Sequence, residues 1–211
     1  MTPHGAFLEA AAVAVDLLGT PQVAARWADP SALPHMTVGA LAQHLGSQVV
    51  SAHTAAHDPA YAGDGRPVSL VEHYRRAAWV QAGVDGEANV GIREGAEEAA
   101  ADGYVAVLAQ VESALAGLQP WPAEAPASVR MPWWDWCLSE DDFLVTRMME
   151  LMVHSDDLAV SVGIETPVFP PKVSRRVLTL LTAVAEDRYG QAAVVRALTR
   201  SERAPGSIVV F

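Results

Sequence analysis

The segment Arg147-Met-Met-Glu150-Leu-Met-Val-His154-Ser-Asp-Asp157 indicates more about the fold than any other part of the chain. Its apolar residues recur at helical spacing, and Glu150 and His154 are four positions apart. At 3.6 residues per turn these two side chains lie about 40° apart around a helix, one turn above the other, so both can reach one metal ion. His154 is the only histidine of the chain with an acidic residue four positions away. The pair is therefore a candidate for two ligands of a metal.

The polar residues of this helix form a stripe that has two interpretations. Arg147, Glu150, His154, Asp157 and Ser161 lie on one side of the helical wheel. Such a stripe is usually the solvated face of an amphipathic helix, held by pairs such as Arg147 with Glu150. Here the apolar arc covers about 200° of the wheel, wider than the ~100° of an ordinary surface helix, which favours a mostly buried helix in a bundle. The segment alone leaves both interpretations open.

The composition of the 211 residues indicates a globular protein, with 51% hydrophobic and 18% charged residues. The net charge of −11, with only 14 Lys and Arg, argues against a nucleic-acid partner. The first residues do not resemble a secretory signal, and no apolar stretch of about 20 residues suits a membrane span. The single cysteine, Cys137, fits a reducing compartment and is interpreted as a packed or loop thiol. We therefore expect a cytoplasmic protein with neither nucleic acid nor membrane as a partner.

Helical periodicity dominates the chain, so the fold class is predicted to be mainly α. Thr37, Ser69 and Ser139 are predicted N-caps, and Gly163 is the predicted end of the helix that carries Glu150. Four long helices with such connections predict a four-helix bundle, whose interior often holds metal sites. The predicted helices span approximately residues 3–19, 38–57, 70–82, 87–117, 140–163, 172–189 and 191–199, with a tryptophan-rich loop at 119–138.

One Glu-His pair leaves a metal under-coordinated, so a further donor is expected from another helix. The predicted helix 38–57 carries three histidines, of which His44 and His53 are nine positions apart. Nine positions are about 180° around a helix, so only one of the two can face the polar stripe. His44 flanks the apolar stripe of this helix and is either a ligand or a satisfied core histidine.

The remaining histidines have simpler interpretations. His53 and His57 form a rival pair at a spacing of four, but imidazoles near a helix C-terminus are favoured by its dipole without any metal. His4, His35 and His73 lie near the ends of predicted elements and are interpreted as surface residues.

Three runs of residues together resemble a known family: Trp27-Ala-Asp-Pro-Ser31, Met36-Thr37-Val38-Gly-Ala-Leu41-Ala-Gln-His44-Leu45 and Thr146-Arg147-Met-Met-Glu150-Leu-Met-Val-His154-Ser-Asp-Asp157-Leu158. With them the chain closely resembles the mycothiol-dependent maleylpyruvate isomerase N-terminal domain, of the DinB-like metalloenzyme superfamily. The resemblance covers nearly the whole chain. It implies a DinB-like metal-binding four-helix bundle over residues 1–165 and a short helical C-terminal extension over 166–211, packed on the bundle.

The resemblance also implies a ligand set and a cofactor. His44, Glu150 and His154 correspond to the residues that hold a divalent metal, zinc first, with nickel or another divalent ion as alternatives. Three ligands leave a position open for water or for a thiolate, and a metal-bound thiol is deprotonated near neutral pH. The low-molecular-weight thiol of the family, mycothiol, fits this chemistry. Asp157, at the family's following acidic position, is the predicted catalytic residue, either as a general base or as the partner that holds a ligand imidazole, with a surface carboxylate as the alternative.

The leading functional prediction is a metal- and thiol-dependent transferase or isomerase that acts on a small electrophile. Maleylpyruvate itself is not carried over as substrate, because the isomerase has a sterol-carrier-like second domain and the segment after Gly163 is too short for one. The alternatives are a metal-binding stress or ligand-binding protein without turnover, and a metal-dependent hydrolase with Asp157 as base. The tryptophan-rich segment 121–136 either walls a cofactor pocket or caps the bundle, the cap being favoured, and a helix face could form a homodimer interface.

Overall fold

The computed structural model describes residues 3–211, which are mainly helical with very little strand, so the mainly α prediction is confirmed. Two short strands, β1 (Ser128–Val129) and β2 (Leu138–Ser139), pair in antiparallel fashion. No helix in the described range is long and apolar enough to cross a membrane. The helices are α1 (Pro3–Leu18), α2 (Pro21–Ala25), α3 (Val38–His57), α4 (Leu70–Arg76), α5 (Ala78–Gln81), α6 (Glu87–Ala100), α7 (Tyr104–Gly117), α8 (Glu140–Val162), α9 (Pro171–Tyr189) and α10 (Gln191–Thr199).

Four long helices, α1, α3, α7 and α8, form the bundle. Helix α8 packs between α1 and α3, and α7 contacts α1 and α3 as well. Complete burial of one large apolar side chain contributes about 1.5–3 kcal/mol, so the core is the main force that holds α3 and α8 side by side. The fully buried large side chains of the core include Phe7, Leu41, Leu45, Phe143, Met148, Leu151 and Leu158.

Side-chain caps fix where α3 and α8 begin. Thr37 Oγ1 accepts a hydrogen bond from the Ala40 N–H, and Ser139 Oγ accepts one from the Asp142 N–H. Each such cap contributes about 1 kcal/mol, and both were predicted from the sequence. Helix α8 ends where Gly163 adopts a φ of 71°, a left-handed conformation that glycine takes without strain. The caps therefore set the heights at which α3 and α8 present their polar residues to each other.

Several predicted element boundaries are wrong. The helix predicted over 87–117 is two helices, α6 and α7, because the chain turns at Gly103 with a φ of 87°. The helix predicted over 70–82 is also divided, into α4 and α5, at Ala77. The short α2 was not predicted, and the predicted loop 119–138 contains β1 and the first residue of β2. Two-residue strands are too short to show a periodic pattern in the sequence.

The C-terminal helices lie against the bundle and against α4. Helix α9 packs on α8, α1 and α4 through an apolar face that includes Val173 and Val177, and α10 packs on α9. The final segment returns to α4 and α5, where the Phe211 ring lies 5.1 Å from that of Tyr74 and 5.0 Å from that of Trp79. Segment 166–211 therefore covers one side of the bundle and brings an aromatic ring to its edge.

Candidate metal centre and its cavity

The structure brings His44, Glu150 and His154 together where α3 faces α8. Glu150 Oε2 lies 3.1 Å from His154 Nε2 and 3.7 Å from His44 Nε2. One donor atom of each residue lies within 4.8 Å of the other two. The two imidazole rings are nearly perpendicular, at 79°, with their centroids 4.8 Å apart. The i, i+4 pair of α8 and one histidine of α3 thus present three donors to a common space.

The separation of these donors fits a divalent metal. Zinc bonds of about 2.0–2.2 Å to nitrogen and oxygen in a tetrahedral site place the donor atoms about 3.3–3.6 Å apart. The two measured separations, 3.1 and 3.7 Å, lie on either side of this range. Two imidazoles and one carboxylate suit zinc, nickel and similar ions, and they leave a coordination position free for a reacting group. The donor set therefore accommodates such an ion with small side-chain adjustments.

Asp157 lies behind His154 and bonds to the ring nitrogen that does not face Glu150. Its Oδ2 is 2.9 Å from His154 Nδ1. A proton on Nδ1 that is donated to this carboxylate leaves the lone pair of Nε2 directed towards Glu150 and His44, as in carboxylate–histidine pairs at metal sites. Within the described chain, Asp157 is not among the residues that line the cavity beside the three donors. Of the two roles predicted for Asp157, this geometry favours holding the imidazole over acting as a general base.

The electrostatics of the centre favour bound positive charge. Burial lowers the pKa of His154, but hydrogen bonds and charge interactions with Asp157 and Glu150 outweigh burial and raise it to about 9. Burial likewise raises the pKa of Glu150, yet hydrogen bonds from His154 and His44 and the charge of Arg147 hold it well below its usual range. In the metal-free protein at neutral pH, His154 is therefore an imidazolium whose Nδ1–H is donated to Asp157 and which carries a second proton, on Nε2, donated to Glu150. A cation that binds here must displace that proton.

The polar stripe of α8 is mostly shielded from solvent. The side chains of Glu150 and His154 are 13% and 18% exposed. The solvated interpretation predicts that Arg147 pairs with Glu150. Arg147 Nη1 instead donates a hydrogen bond to Gln48 Oε1 of α3. Its guanidinium also lies over the Phe143 ring, 5.3 Å from the centroid. The stripe is therefore packed against α3 and does not form an ordinary solvated face.

A cavity of about 990 Å³ opens beside the three donors, and tryptophans form part of its wall. Trp133, Trp134 and Trp136 line it, and the rings of Trp134 and Trp136 stack at 5.7 Å. The favoured prediction, that the tryptophan-rich segment caps the bundle, holds only for Trp121, whose ring centroid lies 4.4 Å from that of His4 in a stacked arrangement. Pairing of β1 with β2 folds the chain between them back on itself, and Trp133, Trp134 and Trp136 then reach the cavity. Sequence patterns do not reveal that pairing.

His73 also lines this cavity, so its predicted surface position is wrong. The residue is 3% exposed, and its Nδ1 accepts a hydrogen bond of 3.0 Å from Trp136 Nε1. Burial and the charge of Arg147 lower the pKa of His73 to about 4, against the opposing effect of Glu150. A signal was present in the sequence, because Leu70, His73, Tyr74 and Ala77 follow the i, i+3, i+4, i+7 spacing of a buried helix face.

His53, His57, His4 and Cys137 lie away from the cavity and make packing and hydrogen-bond contacts. The rings of His53 and His57 lie 4.3 Å apart, and His57 Nδ1 bonds to the His53 carbonyl. Among the described residues this pair is not joined by a third donor, whereas His4 forms a donor group with Glu140 and Asp141 where α1 and α8 begin. The Cys137 thiol is buried and donates to the Gly65 carbonyl, which agrees with a packed thiol.

Comparison with protein families places this geometry in context. The family model described as the mycothiol maleylpyruvate isomerase N-terminal domain matches residues 7–159. The matched range includes His44, Glu150, His154 and Asp157 and runs from α1 into α8. The comparisons with curated proteins and with solved structures gave no match. Because the matched range covers well over half of the chain, the protein belongs to the mycothiol maleylpyruvate isomerase N-terminal domain family.

Proposed function

We propose that this protein is a divalent-metal-dependent enzyme that uses a low-molecular-weight thiol, mycothiol or a close analogue, to attack a small electrophile. The reaction would be an S-transfer or a thiol-assisted isomerisation. The observation that carries the proposal is the group His44, Glu150 and His154 beside a cavity, with Asp157 bonded to the far side of His154. Family membership supports the thiol.

The residues of the centre have distinct parts in this proposal. When bound by His44, Glu150 and His154, a divalent metal lowers the pKa of a thiol in its open position, so that the thiol is a nucleophilic thiolate at neutral pH. Asp157 keeps the Nδ1 proton on His154, which preserves the lone pair of Nε2 for binding. Arg147 holds α3 and α8 in register through Gln48 and keeps a positive charge near Glu150.

The size and lining of the cavity support two ligands at once. Ligand pockets commonly measure about 300–1,000 Å³, and this cavity of about 990 Å³ lies at the upper end of that range. Trp134 and Trp136 offer flat apolar surfaces against which a planar electrophile or the body of a thiol cofactor can stack. A thiol at the donors and an electrophile against the tryptophans would therefore be neighbours.

Cobalt substitution tests thiol binding without knowledge of the substrate. In protein loaded with Co²⁺, we expect mycothiol, cysteine or glutathione to produce a thiolate-to-cobalt charge-transfer band in the near ultraviolet. Glu150→Gln should abolish the band, because it removes a charged ligand, whereas the matched change at exposed Glu98 should leave it intact. Cobalt that binds stoichiometrically while no thiol alters the spectrum would contradict thiol use.

Turnover is tested separately, with a panel of small electrophiles and each thiol, by mass spectrometry of the products. Thiol-dependent consumption that requires the metal supports the proposed enzyme. Consumption without thiol would favour the hydrolase instead, because water would then occupy the open position. Metal and thiol binding without turnover of any electrophile would favour a binding protein.

A further inference from the structure

The cavity wall contains an arginine, Arg147, that forms no ion pair within residues 3–211. Arg147 Nη1 donates to Gln48 Oε1 and Nε donates to Thr146 Oγ1, so two of its three nitrogens are engaged. Nη2 makes no hydrogen bond within residues 3–211, and none of the ion pairs found in that range includes Arg147. A guanidinium offers five donors in a fixed plane, and those left over suit an anionic oxygen. Gln48 and Thr146 thus hold Arg147 in place and leave part of it available.

His73 provides a second unused donor in the same wall. Trp136 Nε1 is only a donor, so His73 Nδ1 must accept, and the proton of the neutral ring is then on Nε2. No described residue accepts a hydrogen bond from this Nε2–H. His73 is 3% exposed and lines the cavity. In the described range, the fully enclosed side-chain nitrogens and oxygens without a hydrogen-bond partner are Ser155 Oγ and Arg176 Nε, so His73 Nε2 is not fully enclosed. The N–H therefore opens on the cavity.

A chain of ring contacts links the two donors. The His73 ring lies 4.7 Å from that of Trp134, which lies 6.5 Å from that of Phe143, and Arg147 lies over the Phe143 ring. The charges of Arg147 and Glu150 both act on the pKa of His73, as expected for groups that share one space. Hydrogen bonds to an ionised acceptor are shorter and stronger than those between neutral groups, so an anionic oxygen suits these two donors.

We propose that His73 and Arg147 form an anion-binding pair that holds an anionic oxygen of the substrate, such as a carboxylate oxygen, beside the metal centre. His73 donates as a neutral imidazole, and Trp136 is the positioning residue that selects its tautomer. That the bound anion is a substrate rests on the proposed function, whereas anion binding by this pair does not. Neutrality matters because the ring then donates one directed hydrogen bond without bringing a second full charge beside Arg147.

Benzoate is a suitable probe, because it combines a carboxylate with a flat ring that can stack on the tryptophans. Calorimetric titration of zinc-loaded protein should show benzoate affinity reduced about tenfold or more in His73→Phe and in Arg147→Met. His73→Gln, which keeps an N–H near the position of Nε2, should restore most of the affinity. The matched change His57→Phe, on an exposed histidine, should have no effect. Benzyl alcohol, which has no carboxylate, should not distinguish wild type from Arg147→Met.

The tautomer is read directly by nitrogen NMR of histidine-labelled protein. His73 should be the Nε2–H tautomer in wild type, and Trp136→Phe should produce a mixture of tautomers and weaken benzoate binding several-fold. Both readouts can be repeated without metal, so they remain informative if the protein neither retains zinc nor turns over any electrophile.

Two results would overturn the inference. One is wild type that does not bind benzoate, and the other is benzoate affinity that is unchanged in both His73→Phe and Arg147→Met. If that unchanged binding also disappears when the metal is removed, the carboxylate is bound by the metal alone.

Discussion

The described chain contains two groups of three clustered metal-ligand donors, and they differ in what surrounds them. One is His44, Glu150 and His154; the other is His4 with Glu140 and Asp141, and in each the donor atoms lie within 4.8 Å of one another. In the second group both oxygens of Glu140 are engaged, one with His4 Nε2 at 2.9 Å and one with the Trp121 N–H at 3.0 Å. These contacts join the start of α1, the tryptophan segment and the start of α8.

The surroundings of the first group suit metal binding better than those of the second. Its donors border a cavity, and a carboxylate behind one imidazole, Asp157, fixes which ring nitrogen is available. At the other group, His4 is stacked on Trp121 and Asp141 is exposed. Proximity of donors is therefore common to both, whereas among the described residues it is the first group that borders the cavity of about 990 Å³ and has a carboxylate bonded to the far side of a donor imidazole. We interpret the second group as a polar clamp on the bundle end and the first as the proposed metal centre.

The largest expected effect separates the two groups by metal content. His44→Ala and His154→Ala should each reduce the metal from about one ion per chain to background, because two remaining ligands bind weakly. His4→Ala should leave the metal content unchanged. Elemental mass spectrometry on protein purified without chelator measures all three variants. Equal losses in His4→Ala and His154→Ala, or no metal in wild type after reconstitution, would remove the distinction.

A smaller effect is expected behind the metal centre. Asp157→Asn should weaken metal affinity about 10- to 100-fold, since the amide holds the His154 tautomer less well and contributes no charge. Competition with a chromogenic chelator measures the affinity. The matched control is Asp156→Asn, one residue away, where the side chain is exposed and accepts a hydrogen bond from Thr166. Similar losses in both variants would show that Asp157 acts only through general surface charge.

Metal affinity at the first group is expected to depend on pH. In metal-free protein the pKa of His154 is raised to about 9, whereas that of Glu150 is held low. Below pH 9 a metal must therefore displace one proton, so affinity should rise about tenfold per pH unit from pH 7 and level off near pH 9. Chelator competition across this range gives the slope. An affinity independent of pH would mean that His154 is neutral in the metal-free protein or is not a ligand.

The smallest expected effect is at the polar clamp. Trp121→Phe removes the indole N–H that donates a hydrogen bond to Glu140. This change should lower the free energy of unfolding by about 1 kcal/mol without changing the metal content. Denaturant titration measures this change. Trp133→Phe, at a residue that is 72% exposed, is the matched control and should have little effect on stability. Loss of metal in Trp121→Phe would link the clamp to the metal centre.

Local patterns in the sequence predicted the long helices and their caps. Caps such as Thr37 and Ser139 form hydrogen bonds within one turn of the chain, so the residues that make them are neighbours in sequence. The geometry of Glu150 and His154 was predictable for the same reason, since a spacing of four within a helix has one outcome. The turn at Gly103 was missed, because the alanine-rich sequence on either side continues the helical pattern.

The helical class, the start and end of α8 and the pair that α8 presents follow from the amino-acid sequence alone, because these features depend on bonds within a few residues. Residue spacing left the role of His44 open and the family resemblance indicated it as a ligand, but it is the packing of the helices that places it opposite that pair. The contact of His73 with Trp136 at the cavity, 63 residues apart in the chain, likewise follows from the tertiary structure. Such contacts depend on how α3, α4 and α8 pack and on the pairing of β1 with β2. The energy of that packing is spread over the whole core, so no single stretch of sequence encodes it.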